Sequence, residues 1–474
     1  MPIAQHLSLR LTAPVCLAAA LSAPLCAHLP AQDTRTVKEP SVPPTCVTLK
    51  AALTAASATS GEVEARADKA GSADPALDTA RIQQAIDHCE HGHAVELVAN
   101  GADTAFLIGP IALRPGVTLL VDKGVTLFAS RNPEFFAIKP GSCGVVNDET
   151  ADGCKPLISI RSASSAGIMG DGIIDGQGGQ SLLFGGKPSF KSWWDLADDA
   201  RSVGHQQAPR LIDVDLSDSL TLYRITLRNS PGTHLAFHRG DGLTVWAVKI
   251  DTPKSARNTD GIDPAQARNI TIAQSYIRTG DSAVDLKAGD GPTGNVSILH
   301  NHIYWGRGVS IGGETNAGVS GVRVEDLSLD GTDFGLRITS NAGHGGLVED
   351  VTYEDICIRD SKAPIFFDTT FAFPGKGVDL VPVYQGLRLH DVRIAGGGKV
   401  QFNGFDATDR ITVALDGVLA LDSPDKYRAQ AIHTDLTFGP GPVNFVFTGD
   451  DSAVTGKEVT GRLPSCATKF IPFP

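Results

Sequence analysis

The chain has 474 residues, 42% of them hydrophobic and 20% charged, with 51 Gly and 28 Pro. Such a composition excludes a disordered chain and favours many tight turns. A formal net charge of −12 argues against nucleic acid and gives no general attraction for an acidic polymer, so an anionic ligand would need a local cluster of cations.

At the N-terminus, Arg10 precedes an apolar stretch from Leu11 to Leu25, and small residues follow at Ala27 and Ala31. That layout predicts a secretory signal over residues 1–31, too short and wrongly flanked for a membrane anchor. Residues 32–474 then form a single domain, because one repeat dominates them. Cys16 and Cys26 leave with the signal, and Cys46, Cys89, Cys143, Cys154, Cys357 and Cys466 remain. Export permits disulfides. Cys46 and Cys89 are candidates to tie the leading segment to a helix. Cys143 and Cys154 bracket a ten-residue polar insert, GVVNDETADG, and read as a local staple. The pairing of Cys357 and Cys466 is left open. No spacing suits zinc, and neither a metal nor a cofactor is expected.

A helix is predicted from about Thr79 to Cys89, with Asp78 as its N-cap. Ile82, Ala85, Ile86 and Cys89 recur at helical spacing and form one apolar face. An open solenoid end exposes core residues and needs a cap, and this helix is assigned to it.

Seven segments further on follow the template x-Φ-x-Φ-x-x-Φ-x-Φ, with Φ mostly Val, Ile or Leu. They start at Ser219, Gly242, Asn269, Asn295, Gly321, Asp350 and Gly386, and the first five intervals are 23, 27, 26, 26 and 29 residues. Repeats of this length, made of β-branched strands broken by Gly, Asn and Asp, specify a solenoid whose coils stack to bury a shared core. The fold class is all-β, a right-handed parallel β-helix with an N-terminal capping helix. Stacked strands lie roughly 4.8 Å apart, so equivalent positions on successive coils form ladders.

After the template strands come second strands: NTDGID (Asn258 to Asp263), TGDSAVDLK (Thr279 to Lys287), WGRGVSIGG (Trp305 to Gly313) and GTDFGLRIT (Gly331 to Thr339). Aligned on their apolar positions they make one parallel face. Asp260 then stacks on Ser282, Asp281 stacks on Arg307, and Arg337 lies on the next coil along, on the same side. Two carboxylates one coil apart and diagonally placed suit the separation of about 6.5–9.5 Å that admits a water and gives inverting glycoside hydrolysis. Lys254, Arg257, Lys287, Arg307 and Arg337 are candidate cations for an anionic ligand. Solenoid turns also use Asn and Asp for left-handed backbone, and Asn229, Asp241, Asn269 and Asn295 are read as structural. Gly449-Asp450-Asp451 and Gly343-His344-Gly345 imitate motifs of this region but lie outside the ladder.

The chain resembles the polygalacturonases of glycoside hydrolase family 28, most closely the secreted bacterial endo-polygalacturonases. The resemblance rests on TARIQQAIDHC, SCGVVNDETADGC, GIIDGQGG, SWWDLADDA, SARNTDGIDP, GVSIGGETN, GLRI, GGLVEDVTYEDI and KAPIFFDT, which occur in that order. It implies a secreted hydrolase of α-1,4-linked galacturonan that inverts configuration without a metal. Carried over position by position, the family's Asn-Thr-Asp is Asn258-Thr259-Asp260 and its Gly-Asp-Asp is Gly280-Asp281-Ser282. Its Gly-His-Gly is Gly306-Arg307-Gly308, its Arg-Ile-Lys is Arg337-Ile338-Thr339, and its substrate-side Tyr is Phe371. The resemblance thus implies Asp281 as general acid and Asp260 as base, with Asn258, Ser282, Arg307 and Arg337 as substrate contacts.

Ser282 cannot share activation of water, and losing a like charge there should lower the pKa of Asp281. Weakened catalysis is therefore expected. The partner is an acidic polysaccharide, pectin or polygalacturonate, and a monomer with no nucleic-acid or membrane partner is expected. Two alternatives remain at this stage: a non-catalytic pectin-binding relative, and a hydrolase of a modified backbone such as rhamnogalacturonan. A β-eliminating lyase ranks below both, since no calcium cluster is evident.

Overall fold

The spacing of the template has a backbone cause. In the computed structural model, both its first and its sixth positions turn with positive φ. The sixth positions are Arg224, Ala247, Gln274, His300, Asp326, Asp355 and Asp391, with φ between 51° and 63°. The first positions include Ser219, Asn269, Asn295 and Asp350 at 52° to 57°, with Gly242, Gly321 and Gly386 at 65° to 95°. Each template is therefore a short strand, a left-handed corner and a second strand, and the corner is why two non-apolar residues separate the apolar pairs. Non-Gly residues adopt such a φ at a cost of order 1 kcal/mol or more, which the stacked ladders on both sides offset.

The structure describes residues 32–70, 77–148, 153–372, 380–457 and 459–474. The predicted signal lies outside the described residues. The templates stack in register: Leu220 pairs with Leu243, Leu243 with Ile270, Ile270 with Val296, Val296 with Val322, and Val322 with Val351. Thr352 pairs with Arg388 on the seventh. All these ladders are parallel, and parallel crossovers within one sheet are right-handed. The predicted right-handed β-helix is the observed fold.

A second sheet of eleven strands carries the chemistry, and its strands neighbour one another in chain order. They are β1 (Ile111–Ala112), β2 (Ile158–Arg161), β3 (Ile212–Asp215), β4 (Leu235–His238), β5 (Ile262–Ala265), β6 (Val284–Leu286), β7 (Val309–Gly312), β8 (Phe334–Thr339), β9 (Ala363–Asp368), β10 (Gly398–Asn403) and β11 (Tyr427–Ile432). Ile262 pairs with Val284, Val284 with Val309, and Val309 with Leu336. Those four are fully or almost fully buried in the continuous core, so the alternate residues Asp263, Asp285, Ser310 and Arg337 face outward. The alignment of the second strands expected from apolar positions holds.

Helix α1 (Thr79–His88) covers the first coil as expected. Ile82 and Ile86 are fully buried, and Gln83 closes the edge of β1. Its side-chain nitrogen donates to the Ala112 carbonyl at 3.0 Å, and its oxygen accepts from the Ala112 amide at 2.8 Å. An unpaired edge that would otherwise template another chain is thereby satisfied. Asp78 does not cap this helix by its side chain, contrary to expectation. Its carboxylate instead accepts from the Leu107 amide at 2.8 Å and from Arg81 Nε at 2.6 Å, and its backbone is helical, with φ −72° and ψ −6°, where a capping residue is extended.

Disulfides join Cys46 to Cys89 and Cys143 to Cys154, as read from the sequence, and also Cys357 to Cys466. The last pins the C-terminal tail to the coil carrying Cys357. Lys469 then bonds Asp326 and Asp355, and Arg278 lies over Phe473 at 4.0 Å. Asn229, Asn269 and Asn295 do adopt positive φ, while Asp241 accepts from Arg268 at 2.8 Å and from Asn269. Their reading as structural residues stands.

Candidate active site

Asp260 precedes β5 and Asp281 precedes β6, so each stands where its coil turns into the outward-facing sheet. The two carboxylates share one donor. The Ser282 amide donates to Asp260 Oδ1 at 3.3 Å and to Asp281 Oδ1 at 3.0 Å. Two negative groups converge on a single N–H, so their Oδ1 atoms lie closer together than the separation of about 6.5–9.5 Å expected from the sequence.

The Asp260 turn is held from behind by His234, a residue the sequence reading passed over. His234 is fully buried. Its Nδ1 donates to the Asp260 carbonyl at 2.9 Å, and its Nε2 accepts from the Thr252 hydroxyl at 2.7 Å. A carbonyl can only accept, so the proton sits on Nδ1. Burial pushes the imidazole pKa down to about 4, so the ring stays neutral while it orients that turn.

Asp281 is 6% exposed. Burial and then the neighbouring Asp260 charge push its pKa up to about 6, against the pull of Arg307, Lys287 and Arg337. The loss of a carboxylate at Ser282 was expected to leave Asp281 more acidic. Desolvation wins instead, because the group sits deeper than the sequence reveals.

Ser282 itself is 1% exposed. Its hydroxyl donates along the sheet to Ser310 Oγ at 3.2 Å and does not turn toward open groove. The expected stacking on Asp260 is made by its backbone amide. Its assignment as a side-chain substrate contact is corrected for that reason.

The cations sort into different roles. Arg307 Nη1 lies 2.8 Å from Asp281 Oδ1, so the two form an ion pair, although the Val284–Val309 register stacks Arg307 on Ser282 and not on Asp281 as expected. Arg337 is clamped between two aromatic rings, with its guanidinium carbon 5.0 Å from the centroids of both Phe334 and Phe371. Lys254 pairs with Asp333 at 3.1 Å. Lys287 is likewise committed, to Asp263 Oδ2 at 3.1 Å and to Asp285 Oδ2 at 3.4 Å.

That last trio is a feature the sequence reading missed. Asp263 and Asp285 follow the paired residues Ile262 and Val284 and are 5% and 7% exposed. Burial pushes Asp285 up to about 7 and Asp263 well above its ordinary range. Burial alone would lower Lys287, but Asp263, Asp285 and Asp260 hold it well above its usual value. Asp263 Oδ1, Asp285 Oδ1, Arg337 Nε and Thr339 Oγ1 have no hydrogen-bond partner among the described residues. A floor of buried, under-satisfied polar atoms beside the two carboxylates is what a ligand site shows and a purely structural ladder avoids.

From Asp260 a groove runs back over the earlier coils, with a volume of about 1040 Å³. Lys155, Arg161, Arg210, Arg257, Asn258 and Asp260 are among the residues that line it. Asn258 stands there with a φ of 59°, so one residue both makes the turn and faces the groove. Three of these cations were missed because the coils before Ser219 do not follow the template. The two decoys fall elsewhere: Asp451 pairs with Arg410 at 2.9 Å and His433 at 3.0 Å, and His344 sits in the turn after Thr339.

The profile of the family Glycosyl hydrolases family 28 matches residues 89–396. The chain belongs to that family. It is a glycoside hydrolase by that membership. It is 37% identical to a polygalacturonase of Ralstonia nicotianae over 92% of each chain. It is 42% identical to an endo-polygalacturonase of Pectobacterium parmentieri over 82% of this chain and 90% of that one. Among solved structures, a polygalacturonase from Erwinia carotovora ssp. carotovora superposes with a TM-score of 0.67 at 37% identity, covering 90% of this chain and 99% of that one.

Proposed function

We propose that this protein is a polygalacturonase that hydrolyses the α-1,4-galacturonan backbone of pectin with inversion. The observation that carries the reading is the pair Asp260 and Asp281, converging on the Ser282 amide at the end of a groove lined by Lys155, Arg161, Arg210 and Arg257. A groove with four cations on an overall acidic chain fits a polyanionic polymer. The relatives named polygalacturonase cover nearly the whole chain, which supports the same substrate.

In this reading Asp281 gives its proton to the glycosidic oxygen as the C1–O bond breaks. Asp260 takes a proton from the water that attacks C1 from the opposite face. A carboxyl group raised to about 6 is suited to carry that proton at mildly acidic pH. Arg337, stiffened by Phe334 and Phe371, and Arg307 bind galacturonate carboxylates. Asn258 lines the approach. Ser282 cannot ionise, so Asp260 is the base with no carboxylate at position 282 to share activation of water, and turnover is lower than with one.

We further read the chain as secreted, a location with which three disulfides agree, residues 1–31 being the signal and 32–474 one catalytic domain. The test is reducing-sugar release from polygalacturonate together with ultraviolet absorbance of the products. Release without absorbance supports hydrolysis. Absorbance would mean elimination, and binding without release would leave a non-catalytic pectin-binding protein.

A further inference from the structure

Arg307 differs from several of the arginines stacked on this solenoid. Arg224, Arg239 and Arg278 each grip an aspartate of the preceding coil through two nitrogens, Nε and Nη2, at 2.6–3.0 Å. Those are two-pronged structural clamps. Arg307 instead reaches Asp281 through a single terminal nitrogen, Nη1, at 2.8 Å. Its side chain is 41% exposed, whereas that of Asp281 is 9% exposed. It can therefore swing off Asp281 without unpacking the core, while its backbone stays fixed by a hydrogen bond that its amide donates to the Asp281 carbonyl at 2.9 Å.

We propose that Arg307 is a substrate-displaced lock on the acid: in the free protein it holds Asp281 in an ion pair, and a uronate carboxylate entering the groove draws it away. This rests on the reading of Asp281 as general acid. The ion pair favours the ionised carboxylate, the form with no proton to give. Once Arg307 has exchanged one carboxylate for another, Asp281 is left facing Asp260 from the preceding coil, with Lys287 on its own strand and Arg337 two coils on. Burial and the Asp260 charge then favour uptake of a proton from solvent. That proton passes to the glycosidic oxygen as the C1–O bond breaks, and the attacking water's proton goes to Asp260. A methyl-esterified residue lacks the charge that releases the lock. Selectivity for free acid over ester therefore appears in turnover and not only in binding.

The experiment follows the Asp281 carboxyl by carbon-13 NMR titration, free and with a galacturonate trimer, in the wild type and in Arg307→Gln. The lock predicts that the trimer raises the Asp281 titration midpoint in the wild type. In Arg307→Gln the midpoint starts higher and moves less. A midpoint that the trimer does not raise, or raises equally in both proteins, overturns the proposal. In parallel, the ratio of kcat on polygalacturonate to kcat on its methyl ester should fall about tenfold or more in Arg307→Gln. An unchanged ratio in an active variant likewise overturns it. A protein that cleaves no pectic polymer yet shows the trimer-dependent shift keeps the lock and loses the hydrolase reading. An active hydrolase without the shift does the reverse.

Discussion

Replacing Asp285 by Asn removes one charge from the buried trio of Asp263, Lys287 and Asp285, and the consequence for stability has a definite sign. Asp285 titrates near 7 in the folded protein because of its burial, against about 3.9 for an unperturbed aspartate. Between those values the folded chain binds more protons at this site than the unfolded chain. Stability therefore falls as pH rises from about 4 to about 7, and the contribution is flat above that. Taken alone, a difference of that size corresponds to roughly 4 kcal/mol. The pull of Lys287, 3.4 Å from Asp285 and 3.1 Å from Asp263, is already part of that balance, but Asp263 is raised as well, so the proton is shared and removing one carboxyl removes only part of the loss. We expect Asp285→Asn to remove about 1–2 kcal/mol of the pH-dependent loss. Urea unfolding at pH 4.5 and pH 8 measures it: the wild type should lose more stability between the two than the variant. Equal losses would refute the assignment of a raised Asp285, and a larger loss in the variant would show that the Lys287 pair outweighs burial.

Asp281→Asn should lower hydrolysis of polygalacturonate by about 10² or more with the fold intact, read as reducing-sugar release alongside circular dichroism. Ser282→Asp places a carboxylate beside Asp260 and Asp281, and should raise turnover on polygalacturonate only partially, because Arg307, Thr339 and Phe371 are unchanged and such units are non-additive. A well-folded Ser282→Asp with no gain on polygalacturonate would argue that this site serves another backbone. Arg337→Gln should weaken polygalacturonate more than its methyl ester by calorimetry, since the loss is of a charge-assisted contact; equal losses would make Arg337 structural. Replacing both Cys357 and Cys466 by Ser releases a link spanning 109 residues, and should lower unfolding free energy by roughly 3–5 kcal/mol while leaving activity at 25 °C.

Much of the fold was legible because its rule is local. The doublet of non-apolar residues in each template marks a left-handed corner, and β-branched residues on both sides supply the strands, so the coils and their register could be counted from letters. The alignment of Ile262, Val284, Val309 and Leu336 brought Asp260 and Asp281 together for the same reason. What escaped depended on side-chain direction and depth. The Val284–Val309 register aligns Arg307 with Ser282, and it does not say that the guanidinium turns back onto the Asp281 carboxylate. Nor does it say that the Ser282 hydroxyl runs to Ser310 while its amide serves both acids. Asp263 and Asp285 alternate with core residues and so were predictable as outward-facing, yet their burial comes from neighbouring coils. His234 gave no signal, because a lone histidine beside Leu235 shows no partner until Thr252 and the Asp260 carbonyl are placed against it. Lys155, Arg161 and Arg210 lie on coils of irregular length, where the template offers no alignment.

The measurement that tests the central claim most directly is proton NMR of the first product released from polygalacturonate, recorded before mutarotation. Inverting hydrolysis by Asp281 and Asp260 predicts that the new reducing end appears first as the β-anomer and drifts toward the equilibrium mixture. An α-anomer appearing first would contradict a water held between the two carboxylates, and an unsaturated end would contradict hydrolysis altogether.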